Sequence, residues 1–211
     1  MKISGESKGH AAAVAEGAEH HRGSKTYSGS LMRPHVPYLS EMISRLGVHS
    51  ALDYGCGKGE QYRWRDPHHA NQTVEERWGF EVRKYDPCWP PYAREPEGRF
   101  DLVICTHTLA LVPLADLDWA VGRLFGFAAK AVFVAEKIGE RKKKEARVAG
   151  ERAIGWSVQQ WLDRLAPFAD QWPRLETVFS SRERIGDATI TTRHRRHAGR
   201  WIAKEAGPSR G

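Results

Sequence analysis

The chain has no apolar run approaching the ~20 residues that a membrane-spanning helix requires, so no helical membrane span or membrane partner is expected. Its first stretch, MKISGESKGHAAAVAEGAEHHRG, carries charges inside the alanine run and so has no apolar core of the secretory-signal kind. Cysteine is scarce. Cys56, Cys88 and Cys105 are an odd number without metal-ligand spacing, and they read as reduced thiols of a cytoplasmic protein. His68 and His69, or His194 and His197, lack the cysteine or carboxylate pattern that would complete a metal site, so no metal is expected. There is no internal repeat and no recognisable nucleic-acid-binding module.

What is present suits one globular domain. A length of 211 residues, 40% hydrophobic and 28% charged, is enough for one well-packed core and too short for two ordinary ones. The net charge of +7 is uneven, with clusters at Gly139–Arg147 (GERKKKEAR) and Arg193–Arg200 (RHRRHAGR). Such runs are commonly solvated faces, yet they also admit a nucleic acid or another polyanion as partner.

The densest signal is Leu52-Asp53-Tyr54-Gly55-Cys56-Gly57-Lys58-Gly59, a short strand broken by glycine at alternate positions. A turn built that way lets a bulky polar group lie against main-chain N–H groups at a helix start. A second strand ends in an acid, Asp86. The order strand, glycine turn, helix, strand, acid is the nucleotide-binding half of a doubly wound sheet. Lys58 is followed by Gly59 and Glu60 rather than Ser or Thr, which argues against a nucleoside triphosphate loop.

The run LDYGCGKG, with its acid ahead of the glycines, resembles the first motif of class I S-adenosylmethionine (SAM)-dependent methyltransferases. Phe100-Asp101-Leu102-Val103-Ile104-Cys105, with Thr106-His107-Thr108-Leu109 and Val112-Pro113, resembles the fourth strand and following turn of that family. The likeness spans roughly residues 50 to 138. It implies an α/β three-layer sandwich with a mostly parallel, Rossmann-like sheet, and SAM as cofactor.

The remaining pattern agrees with that architecture. Apolar spacing predicts helices at Pro37–Leu46, Leu117–Ala129 and Val158–Leu165, and buried strands at Asp101–Cys105 and Lys130–Ala135. Prolines crowd residues 87–96, so the third strand and helix of larger relatives are expected to be compressed. Leu175–Ser180 and Ala188–His194 are predicted to pair as an antiparallel hairpin around Gly186-Asp187. Composition suggests flexible tails at 1–26 and 205–211 around a single domain at 27–204.

The resemblance implies cofactor contacts from Asp53, Tyr54, Gly55, Cys56, Gly57, Asp86, Pro87, Thr106 and His107. Asp53 would hold the ammonium group of SAM, although an acid there can also cap the following turn. Asp86 suits the ribose hydroxyls, although Asp-Pro is also a turn former. His107 has the imidazole pKa of a general base, or serves only to hydrogen-bond its loop. The family's Leu-Glu-His run reads Leu109-Ala110-Leu111 here, which removes two polar groups. Trp156 and Gln160 are candidates for an acceptor pocket, Trp89 and Tyr92 for an adenine wall, and the segment around Tyr27 for a lid. The expected activity is methyl transfer to a small-molecule acceptor. A nucleic-acid acceptor and a SAM-binding regulator without catalysis are the rival readings.

Overall fold

The computed structural model describes residues 8–22, 27–139, 147–148, 151–152, 154–185 and 188–208. One seven-stranded sheet organises them. In chain order the strands are β1 (Ala51–Tyr54), β2 (Val82–Tyr85), β3 (Phe100–Thr106), β4 (Ala128–Lys137), the short pair β5 (Arg147–Val148) and β6 (Glu151–Arg152), then β7 (Glu176–Ile185), β8 (Ala188–His197) and β9 (Arg200–Pro208). The large sheet runs β2-β1-β3-β4-β7-β8-β9, and β5 and β6 form a separate ribbon. Its first five strands are parallel, and β8 and β9 add antiparallel. The chain steps outward from β1 to β2 and then returns to the far side of β1 as β3. That reversal opens a crevice between the carboxyl ends of β1 and β3.

Helices cover both faces, giving a three-layer α/β sandwich of Rossmann-like type. On one face α2 (Val36–Leu46), α3 (Glu60–Arg63) and α4 (Val74–Trp78) pack through Leu39, Met42, Tyr62 and Trp78 against Leu102, Ile104, Phe133 and Val178. On the other face α5 (Leu117–Phe127) and α6 (Val158–Gln171) pack Val121, Phe125, Trp161 and Leu165 against Val103, Cys105, Val134 and Phe179. Burial of each such aliphatic or aromatic side chain contributes about 1.5–3 kcal/mol. The central strands β3 and β4 are apolar on both sides because helices lie above and below them.

Local chemistry sets the ends of these helices. Pro37 sits in the first turn of α2, and Gly47, in the left-handed region, returns its N–H to Ile43 and Ser44. Thr73 with Glu76, and Ser157 with Gln160, close capping boxes on α4 and α6. Between β2 and β3 the chain makes only a 3-10 turn at Pro90–Tyr92, so the expected compression is present.

Two stretches differ from the composition reading. Residues 8–22, expected as part of a flexible tail, form helix α1 (Lys8–Arg22), with Ala13 and His21 buried. Alanine supplies helix propensity, and docking on the body supplies the rest. At the other end β9 continues to Pro208, beyond the expected boundary at 204, and makes the hairpin a three-stranded unit. Residues 1–7, 23–26 and 209–211, Gly186-Asp187, around which the hairpin was expected, and most of the first basic cluster lie outside the described residues. Among the described residues no helix is long and apolar enough to cross a membrane.

Candidate functional site

A cleft of about 1020 Å³, its open mouth included, lies at the β1/β3 crevice. Tyr54 enters from the end of β1, Gly55 and Gly57 from the turn after it, Asp86 and Pro87 from the end of β2, and Thr106, His107 and Thr108 from the end of β3. Leu111, Val112, Pro113 and Trp119 supply apolar wall. Strand topology thus brings together seven of the nine residues expected to contact a cofactor.

Asp86 is the central polar group. It is 8% exposed. Its Oδ2 accepts the Gly57 N–H and its Oδ1 the Cys88 N–H, both at 2.9 Å. His21 Nε2 from α1 lies 3.8 Å from Oδ1. Burial pushes the carboxyl pKa up, opposed by His21 and by the two amide donors. The same burial lowers His21.

His107 lines the cleft with φ 56, a left-handed conformation uncommon outside glycine. Its N–H is fixed on Ala135 O at 2.7 Å. Left-handed non-glycine backbone persists only where surrounding structure holds it, and it concentrates at functional sites. Thr108 Oγ1 lies 3.2 Å from both Gly55 O and Thr106 O, tying the β3 turn to the glycine turn.

Asp53 and Cys56 do not line the cleft. Asp53 is fully buried on the α2 side of β1, because it shares parity with Ala51 in the core of that face. Its Oδ2 accepts Gln61 Nε2 and Tyr62 OH, both at 2.9 Å, while Oδ1 has no hydrogen-bond partner among the described residues. Burial pushes its pKa up to about 7, against the two hydrogen bonds that lower it. Asp53 therefore anchors α3 and does not reach a ligand ammonium in this arrangement. The Cys56 thiol is buried too, and burial raises its pKa.

The glycine turn is also engaged differently from expectation. Gly55 and Cys56 donate to Tyr85 O, Gly57 to Asp86, Lys58 to Tyr27 O at 2.8 Å, Gly59 to Cys56 O and Glu60 to Ser28 O at 2.9 Å. Every N–H from 55 to 60 is thus taken by the chain itself. At Gly57, φ is +59 and a Cβ would stand 2.1 Å from Tyr27 O. The close approach that needs glycine is by the segment Tyr27–Gly29, not by an open ligand cradle.

Helix α1 is the element that sequence reasoning missed. His10, Val14, Gly17 and His21 line the cleft from above. Gly17 packs so closely on Cys88 that a Cβ would fall 2.5 Å from its sulfur. The His10 ring meets Trp119 edge-on at 4.8 Å, and the His21 ring stacks on Trp89 at 5.5 Å. The available signal was an uninterrupted helix-forming run with histidines and small residues interleaved. Trp89 therefore supports α1, and Tyr92 packs on the glycine turn at Gly59. Trp156 stacks edge-on against Trp161, and Gln160 serves the α6 cap, so neither lines the cleft.

Searched against family models, curated proteins and solved structures, the chain matches none. The cleft has to be read from its own chemistry. It offers one buried carboxylate, two threonines and histidines in a chiefly apolar enclosure at the carboxyl edge of a parallel sheet. Among the described residues no group of three or more His, Cys, Asp or Glu is placed to hold a metal ion.

Proposed function

We propose that the protein is a SAM-dependent methyltransferase whose cofactor cleft is covered by α1. The observation that carries this reading is Asp86: a buried acid at the carboxyl end of β2, facing an apolar cleft at the topological switch point. A carboxylate there accepts from a vicinal diol, and apolar walls beside it suit an adenine. The Gly57 and Cys88 amides hold Asp86 in place, so the acceptor is pre-oriented. Tyr54, Leu111 and Val112 would contribute the flat apolar contact.

The half of the cleft at the glycine turn fits a cofactor only after Tyr27–Gly29 withdraws, because that segment holds the Lys58 and Glu60 amides. His21 likewise occupies the neighbourhood of Asp86 that a ribose would take. When bound, SAM supplies an activated methyl group and requires alignment above all. His107, held at the mouth of β3, is positioned to accept a proton from a nucleophile on the acceptor. The apolar lining excludes water from the transfer.

Calorimetric titration of the full chain with SAM and with its demethylated product tests this. Micromolar binding weakened at least about tenfold by Asp86→Ala is expected, since loss of a charged acceptor costs about 1.5–3 kcal/mol. Absence of binding, or an affinity indifferent to Asp86→Ala in a variant that still melts cooperatively, refutes it. A regulatory SAM-binding role without turnover is the second reading. It is favoured by the self-satisfied glycine turn and by Ala110 and Leu111, which bring no acid or base to the site.

A further inference from the structure

The carboxyl edge of the sheet gathers cations on the face that carries α2, next to the cleft but outside it. Strand register places them. Lys137 pairs with Arg182, Ser180 with Arg193, and Arg193 with Lys204. Paired residues project to the same face of a sheet, on strands about 4.8 Å apart. Val178, two residues before Ser180, packs in the α2-side core, so Ser180 and Arg182 face that side as well. Arg193 confirms the face, for its guanidinium lies 4.4 Å over the ring of Tyr38 on α2. Arg182 and Arg193 are thus diagonal neighbours, about 7–8 Å apart at the backbone and within joint reach of one small anion.

His35 backs this cluster. It lies just ahead of α2, is fully buried against Phe133, and its Nδ1 is 3.5 Å from Ser180 Oγ. Its Nε2 has no hydrogen-bond partner among the described residues, and the same holds for the buried Nε atoms of Arg182 and Arg193. Among the described residues no carboxylate forms an ion pair with Arg182 or Arg193. Glu176 is held by Arg45 at 2.6 Å and Arg195 at 3.0 Å, and Glu41 offsets the burial of Arg193 only in part. Burial lowers the Arg182 pKa, and no acid among the described residues offsets it. Half-buried guanidinium groups without an ion-pair partner are costly unless an anion joins them, and their planar fork matches phosphate oxygens.

We propose that Arg182 and Arg193, flanked by Lys137 and backed by His35 and Ser180, form a binding site for a phosphate group. Its assignment to the methyl acceptor rests on the methyl-transfer reading. His107 links the two places, because its ring lies 6.3 Å from that of His35 and it also lines the cleft. The acceptor is then a phosphate ester whose charged end lies over β7 and β8 while its nucleophile reaches His107. A mononucleotide and a nucleic-acid strand share that chemistry.

The test titrates the full chain with inorganic phosphate, a nucleoside monophosphate and a short single-stranded oligonucleotide, and separately with SAM. Phosphate-bearing probes are expected to bind, and Arg182→Gln and Arg193→Gln each to weaken them about tenfold to a hundredfold. Arg182→Lys keeps the charge and recovers part of the loss, and SAM affinity stays unchanged in all three variants. A strand as the natural source shows affinity that grows with length and falls steeply with salt, whereas a mononucleotide source shows no gain with length. Absence of binding by any phosphate probe, or binding unaltered in both glutamine variants, overturns the proposal. Phosphate binding that depends on both arginines in a chain that ignores SAM keeps the anion site and removes the methyl-transfer reading.

Discussion

Replacing Asp53 by Asn should abolish a defined part of the protein's pH dependence. Asp53 is fully buried, and burial raises its carboxyl from 3.8 to about 7 in the folded chain. In the unfolded chain it titrates near 3.9. Between those values the folded state binds the extra proton, so stability falls as pH rises through the window and is level above it. At 1.36 kcal/mol per pKa unit the window amounts to roughly 4 kcal/mol, an upper figure because relaxation and water entry reduce it. Asn at this position keeps an oxygen for Gln61 and Tyr62 and carries no charge at any pH. Its amide must occupy the place of the unpartnered Oδ1, which costs about 1–3 kcal/mol at every pH. Denaturant melts of both proteins from pH 4 to pH 8 read the difference. The variant should be the less stable at pH 4 and should gain on the wild type steadily up to pH 7. Parallel stability curves across that range would refute the assignment of a buried, proton-binding Asp53.

The close approach at the glycine turn makes a second prediction. Gly57→Ala should lower the melting temperature more than Gly79→Ala, since both carry positive φ but only position 57 meets a backbone oxygen. The left-handed conformation alone costs about 1–2 kcal/mol, and equal losses at the two positions would show that Tyr27–Gly29 is not docked there. Docking of α1 makes a third. Gly17→Val must push the helix away from Cys88, whose thiol is half-buried and pushed up to about 12. Labelling of Cys88 by a thiol reagent should then accelerate several-fold, with buried Cys56 and Cys105 as the internal blank; an unchanged rate would contradict the α1 contact.

The parallel half of the fold is legible because its strands are buried on both faces. Leu102–Cys105 and Ala131–Ala135 carry unbroken apolar runs that admit little else, α5 shows an apolar stripe, and α2 and α6 add a proline or capping residue at their starts. Strand β9 is not legible in that way, since Trp201, Ile202 and Lys204 alternate on a surface with one open side and the apolar count is small. Helix α1 escapes for another reason. Its buried contacts are made by Ala13, Gly17 and His21, none of which stands out as core by hydropathy. Asp53 is the instructive case at the site. Its position at the end of a strand was readable, but its direction follows from period-two parity with Ala51, and Gln61 and Tyr62 one turn later were the groups to receive it.

The covering of the cleft by α1 bears on how the molecule opens. Its partners Cys88, Trp89 and Trp119 come far later in the chain, so this helix waits for the body synthesised after it before it can settle. Few large apolar groups hold it, and such a unit separates from the body at a free energy well below that of global unfolding. Backbone amides of residues 8–22 should therefore exchange with solvent faster than those of β3 and β4. Access to Asp86 follows the same equilibrium. Any ligand that needs His21 displaced binds with an affinity reduced by the fraction of molecules in which α1 is undocked, and a partner that captures the free helix would raise that affinity without touching the cleft.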